Sequence, residues 1–568
     1  MLHVVRSGGV TSPVVRHPGG LVNEFVLFRL VRKTAHAACF LLLATAPLEV
    51  SAAPQSSIAP TGPTRSKLSA DATTPLCTVE KMRSGWRARM ADGRLLFDRW
   101  QPSTAAPSGF LAPSAVRVTP VLNGASIEYE FSNTGAAAAT PMDLELPTLQ
   151  IISSPRIMDA SFLGEARAIP TTATPWIGGV YPRDLYSPVT AMSWTGGAVG
   201  VSVIYPILEY QHDVAVVIRN TGSGRWQPLV ALSNSKVGGH FSTSLKYEAT
   251  VPPGGKRTYR VEIRATTNRG WLETLEPYRQ FFHRTYGSVR YARDGRNIYA
   301  VQTAVDEYRT ASNPEGWAPE AGRPDLSGYG AVAGLMRHAL LRADRIILWT
   351  PTGMHVANRQ RDYPFKFVSR WFEPGAPLPM RSAPSVFATI SLKPNQRWGL
   401  WWGHAAEVQS TWDSASFSPI SLADTHTMGL AKRELDLAVT SGARIVGLDA
   451  FTHHASPLWE LHPWLARMTS ENPQVTFCTE GRNPDIMHAL APTWIDAYGW
   501  SKYQPNGPLI TGRFVLADWL LPGHETWAGV MWNRADRTEL RTEVGGAARR
   551  AEIDRLRTLG FVPVLFGD

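Results

Sequence analysis

The apolar and polar positions of this chain change rhythm once, near residue 290. Between about 76 and 268 the pattern is strand-like throughout. ASIEYEFSNTG, AVGVSVIYPIL, DVAVVIRNTGSG and KRTYRVEIRAT alternate or run apolar, and NTG, NTGSG and PPGG supply the turn chemistry between them. No long helical period interrupts these runs. The pattern predicts antiparallel strands in two facing sheets, a β-sandwich over 76–268. GWLETLEPYRQFFHRTYG then reads as a helical connector over 269–289.

From 290 to 568 strands and helices alternate. Strands are predicted at NIYAVQTAV, DRIILWT, RWGLWWGH, ARIVGLD, QVTFCTE, TWIDAYG, WAGVMW and FVPVLF. Helical segments lie between them, among them GYGAVAGLMRHALLRA, THTMGLAKRELDLAVTSG, LWELHPWLARMTSEN and the Arg/Glu-rich RADRTELRTEVGGAARRAEIDRLRTLG. Eight strand candidates with intervening helices predict a TIM-type (β/α)8 barrel. FVLADWLLPG fits strand or helix, because a short apolar run does not decide by itself. The competing fold, a doubly wound open sheet, lacks a glycine-rich dinucleotide fingerprint after its first strand.

The amino-terminal residues have a different character. Arg29, Arg32 and Lys33 precede the apolar run AACFLLLATAPL, and SAAP follows. These are the three parts of a secretory signal, so 1–53 is expected to be a signal peptide with an upstream extension, cut near Ala53. Residues 54–75, rich in Pro, Ser, Thr and Ala, read as a flexible linker. The expected location is secreted or periplasmic, with no stable membrane span in the mature chain, because the apolar run is short for a permanent anchor. A retained amino-terminal anchor is the alternative. Cys77 and Cys478, outside the signal, indicate no disulfide framework, and Cys478 inside VTFCTE reads as a small buried hydrophobe.

Composition narrows the function. With 18% charged and 44% hydrophobic residues the chain is a folded globular protein. The formal charge is +10, but no dense Lys/Arg run or Arg/aromatic stripe accompanies it, so no nucleic-acid partner is expected. The 20 tryptophans tilt the reading towards carbohydrate, since indole rings stack on the apolar faces of sugars, although barrel filling also uses them.

The candidate chemistry sits at the strand ends. Consecutive strand–helix–strand units make parallel strands, whose carboxyl ends share one edge of the barrel. Asp449 closes ARIVGLD and Glu480 closes QVTFCTE, so two carboxylates should meet there, the minimum equipment for cleaving a glycosidic bond. Asp496, on the sixth strand, is a third candidate. Trp349, Trp402, His404, His453, Arg482, Tyr498 and Trp500 crowd the same predicted rim and form a sugar-binding palette of planar rings and hydrogen-bonding forks. An Asp after a buried strand often caps the next helix instead. Asp449 ends the apolar run itself, and Glu is a poor N-cap, so both lean towards the site.

An Asp ending the fourth strand and a Glu ending the fifth resemble the retaining α-amylase-type glycoside hydrolases, and ARIVGLDAFTHH resembles their fourth-strand motif. The Arg of that motif, two residues before the Asp, is here Gly447. A β-sandwich ahead of the barrel resembles the α-galactosidase and endo-α-N-acetylgalactosaminidase groups. The former would pair Asp449 with Asp496 and the latter with Glu480. The resemblance covers about 300–568 and points to no single family. It implies that ionised Asp449 attacks the anomeric carbon and that protonated Glu480 serves the leaving oxygen and later activates water. Asp496 would bind hydroxyls or substitute as the acid. Carboxyls roughly 5–5.5 Å apart would mean retention, and roughly 6.5–9.5 Å inversion.

The expected partner is an oligo- or polysaccharide, with no cofactor and no metal. Two other classes remain: a non-catalytic glycan-binding barrel, and a metal-dependent carbohydrate deacetylase or hydrolase. For the latter His355, His404, His426, His453 and His454 supply imidazoles without an HxH or HExxH spacing. Sugar identity rests on loops, above all the Pro-rich insertion 351–382.

Overall fold

The computed structural model describes residues 75–151, 154–158, 160–161, 164, 166–168, 176–235, 244–268, 270–303, 310–311, 329–341, 343–349, 355–357, 360–362, 390, 392–402, 407–408, 418–419, 421–449, 451, 456–481, 483–496, 510, 512–530 and 547–567. The expected signal and nearly all of the linker lie outside them, as does most of the insertion.

The amino-terminal half is antiparallel β-structure. A seven-stranded sheet runs in the order Ala115–Val121, Gly124–Ser132, Lys256–Thr266, Gly197–Ile204, Val189–Trp194, Arg156–Met158 and Ala166–Ala168. A second sheet orders Ile177–Tyr181, Val214–Gly222, Arg225–Ala231 and Leu144–Glu145, with Leu149–Gln150 also on Arg225–Ala231. Alternation in ASIEYEFS sends Ile127, Tyr129 and Phe131 inward, each at most 1% exposed, while the residues between them stay half-buried. A small three-stranded sheet, Cys77–Met82, Gly85–Met90 and Leu95–Trp100, precedes them.

The connector is a 3-10 turn, Trp271–Leu275, running into α1, Glu276–Thr285. Eight parallel strands then close into a barrel: β1 Ile298–Gln302, β2 Arg345–Trp349, β3 Arg397–Trp402, β4 Ile445–Leu448, β5 Thr476–Glu480, β6 Thr493–Asp496, β7 Thr526–Val530 and β8 Val562–Gly567. Closure is direct, since Ile298 of β1 pairs with Val564 of β8. Among the described residues the helices of the barrel are α2 Tyr329–Leu340, α3 Thr425–Thr440, α4 Leu458–Glu471, α5 Asp485–His488, α6 Val515–Leu520 and α7 Ala547–Thr558. The ambiguous run FVLADWLLPG is therefore helical. All eight predicted strands are present.

Period-two alternation divides each barrel strand between two cores. Ile347, Trp401, Ile445, Cys478, Trp494 and Trp527 fill the lumen, whereas Ile346, Leu400, Val446 and Phe477 face the outer core. Burial pushes the Cys478 thiol well above its ordinary range, so it is a packing group rather than a nucleophile. At the amino-terminal end of the lumen the Arg345 guanidinium donates to Glu525 at 2.8 Å, and both side chains are almost fully buried.

Buried imidazoles make the fold sensitive to acid. Desolvation pushes His212, His462 and His488 down to about 4. Unfolded, each would accept a proton from about pH 6.5 downward, so each withdraws stability as the pH falls from there to about 4, on the order of 3 kcal/mol in full. Burial pushes the Asp485 carboxyl up to about 6, and raises Asp213 as well. These two work in the opposite sense, because the folded chain holds their protons where the unfolded chain releases them. Burial also pushes His524 down and Asp518 up, and the four histidines outweigh the three acids. The melting temperature should fall steadily between pH 6.5 and 4.5 in a thermal-shift series, and a flat or rising profile would contradict this balance.

Candidate functional site

The barrel register brings the two principal acids side by side. Leu448 of β4 pairs with Thr479 of β5, so the next residue on each strand, Asp449 and Glu480, occupies the same level of the carboxyl edge. Neighbouring strands lie about 4.8 Å apart. Ile445 and Cys478 belong to the lumen, and alternation carries that face forward to Asp449 and Glu480. Asp449 is 6% exposed and Glu480 is half-buried.

Asp449 is held by the strand beside it. Its backbone N–H donates to the Trp402 carbonyl at 2.8 Å, extending the ladder by one step. Its Oδ1 accepts from the Trp401 indole Nε1–H at 3.2 Å. It is not the N-cap of α4, which begins at Leu458 with Pro457 in that place. The helix after Glu480 likewise has Pro484 at its N-cap.

A tryptophan floor underlies the acids. Trp349 stacks on Trp401 with centroids 4.2 Å apart and planes at 19°, and Trp494 meets Trp401 edge-on at 4.9 Å. Gly447 makes the room. A Cβ there would stand 1.9 Å from the Trp401 ring, so the position is left empty for an indole.

The other expected site residues divide. Trp349 lies in the lumen, half-buried, beside Trp401 and Trp494. Trp402 does not join it. It is 3% exposed and packs in the outer core with Trp398 and Leu400, because two adjacent strand residues cannot share a face. Trp401 holds the inward place that Trp402 was expected to fill. Asp496 ends β6 opposite Gly529 of β7, and its side chain lies outside the described structure. His404, His453, Arg482, Tyr498 and Trp500 also fall outside the described residues. So do His454 and the side chain of His355, whereas His426 is exposed near the start of α3. Among the described residues no group of three or more His, Cys, Asp or Glu could hold a metal ion. None of their helices is long and apolar enough to cross a membrane.

No family model and no curated protein matches the chain. Solved structures with some likeness include a beta-arabinopyranosidase, at 10% identity and TM-score 0.34 over 74% of this chain and 60% of that one. The glycoside hydrolase domain of PelA from Pseudomonas aeruginosa aligns at 13% identity and TM-score 0.26, over 48% of this chain and 94% of that one. Cyclic alpha-maltosyl-(1-->6)-maltose hydrolase from Arthrobacter globiformis, solved with maltose, aligns at 12% identity and TM-score 0.27, over 48% of this chain and 73% of that one. This chain thus spans less than two thirds of the first of these proteins. The barrel assignment stands on the strand pairing alone.

Proposed function

We propose that this chain is a glycoside hydrolase, with Asp449 as nucleophile and Glu480 as general acid/base. The supporting observation is the Leu448–Thr479 pairing, which gives Asp449 and Glu480 the same level on adjacent strands above a lumen filled with tryptophan. In the first step Asp449 bonds to the anomeric carbon while Glu480 gives its proton to the departing oxygen. In the second, Glu480 takes a proton from water, whose oxygen displaces Asp449 and releases the sugar. The Trp401 indole N–H holds one oxygen of the nucleophile in register. Asp496, ending the adjacent strand, is assigned to substrate hydroxyls. Trp349 is assigned to sugar stacking, and the substrate is an oligo- or polysaccharide met outside the cytoplasm.

The test is a product screen on bacterial and plant polysaccharides, followed by NMR that resolves the anomers. Cleavage with retained configuration is the expected result. Inversion would make Asp449 a base rather than a nucleophile. Glycan binding without any cleavage would overturn the enzymatic reading in favour of a binding barrel.

A further inference from the structure

The chain turns sharply as soon as it leaves Glu480, and what holds the turn is not the barrel alone. Gly481 sits at φ +95°, where a side chain would be strained. Its N–H donates to the Trp494 carbonyl at 2.9 Å. Its own carbonyl accepts from Thr493 Oγ1 at 3.0 Å and Asn483 Nδ2 at 3.2 Å. Fully buried Asn483 also donates from Nδ2 to the Thr479 carbonyl at 3.0 Å. Pro484 then opens α5, whose first residue is Asp485.

Asp485 is fully buried where sandwich, connector and barrel meet. Tyr181 OH donates to its Oδ1 at 2.8 Å, and Ser187 Oγ and Tyr278 OH donate to its Oδ2 at 2.7 and 2.6 Å. The Asp485 N–H donates to the Tyr186 carbonyl at 2.9 Å, and Tyr186 OH meets His488 Nδ1 at 3.0 Å. Tyr181, Tyr186 and Ser187 belong to the sandwich, and Tyr278 to α1. A buried carboxylate is costly unless its oxygens are satisfied, and an apolar side chain would often serve stability as well. Short hydrogen bonds to both oxygens, from separate elements, instead fix where this carboxylate lies and how it is turned.

We infer that Asp485 is a positioning residue. The sandwich and α1 grip it, and through Pro484, Asn483 and Gly481 they set how Glu480 enters the barrel mouth. This rests on the reading of Glu480 as acid/base. It makes the sandwich part of the catalytic unit rather than an appended binding module.

The test uses the full chain with Asp485→Ala, Asp485→Asn, Tyr278→Phe and, separately, Glu480→Gln. Peptide-resolved hydrogen exchange should rise on the order of tenfold over 479–488 in Asp485→Ala, while β1 and β2 stay as protected as in the unaltered chain. On the substrate found by the product screen, kcat should fall on the order of tenfold to a hundredfold with KM nearly constant, and the pH profile of kcat should move. Asp485→Asn should recover part of both effects. If Asp485→Ala does not fold, Tyr278→Phe, which removes one donor, carries the same comparison. A lower melting temperature with unchanged kcat and pH profile would reduce Asp485 to a structural contact and overturn the inference. So would exchange that rises equally along the whole chain. Full activity in Glu480→Gln would sink the acid/base reading instead, and the exchange result would still report whether Asp485 holds the turn.

Discussion

Asp449→Asn is expected to lower kcat on the order of 10^4-fold or more while leaving the chain folded. The amide has almost the shape of the carboxylate, and its oxygen can still accept the Trp401 indole N–H that meets Oδ1 at 3.2 Å. The backbone bond to the Trp402 carbonyl does not involve the side chain at all. Packing below, where Trp401 stacks on Trp349, therefore has no reason to shift. What is lost is the negative charge and the nucleophilic carboxylate oxygen that forms the ester, which matter in the transition state and little in the ground state. The kinetic form of the loss follows: kcat collapses and oligosaccharide binding by calorimetry persists. Thermal unfolding should stay within a degree or two of the unaltered chain. Turnover within tenfold of normal would remove Asp449 from the nucleophile's place.

The positions of the two acids were legible in the sequence because they end apolar runs. ARIVGLD and QVTFCTE show strand, direction and terminus together, and parallel order follows from the helix between them. The face of each residue was harder. RWGLWWGH places two tryptophans in succession, and a period of two says that one is inward without saying which. The phase is set by volume between neighbouring strands: Gly447, the register partner of Trp401, lacks a Cβ where the Trp401 ring lies, so Trp401 turns inward and Trp402 outward. Asp485 left no trace of its role, because its partners Tyr181, Ser187 and Tyr278 are hundreds of residues away in the chain. The helical state of Val515–Leu520 was likewise undecidable from the short run FVLADWLLPG. It is settled by packing, with neighbouring Phe514 meeting Phe561 edge-on at 4.9 Å. Local chemistry was readable wherever a strand end carried it, and contacts made at a distance were not.

The closed end of the barrel shows the same limit and yields the largest expected loss of stability. Glu525→Ala should cost about 3–5 kcal/mol, the usual penalty for leaving half of a buried ion pair behind. Glu525 Oε1 accepts from Arg345 at 2.8 Å and from the Trp527 indole N–H at 2.7 Å, and Oε2 accepts from the Asp294 N–H at 2.7 Å. Removing the carboxylate strands a guanidinium that is almost fully buried, together with the Trp527, Asp294 and Gly295 N–H donors. Arg345 keeps some support, since its Nε lies 3.9 Å from Asp294 Oδ1, and it also donates to the Arg296 carbonyl and lies over the Trp527 ring. A stability of about 5–15 kcal/mol for an ordinary domain makes the loss severe but survivable. Glu525→Gln should cost less, because an amide oxygen can still accept from Trp527. The double variant Arg345→Met, Glu525→Leu should recover part of the deficit by removing the stranded charge, leaving the Trp527, Asp294 and Gly295 N–H donors unmet. Because the pair lies at the amino-terminal end of the lumen, kcat per folded molecule should be unchanged in all three. Denaturant titration of the set decides the matter: if Glu525→Ala unfolds within 1 kcal/mol of the unaltered chain, water reaches this end of the lumen and the pair is not the anchor it is taken to be.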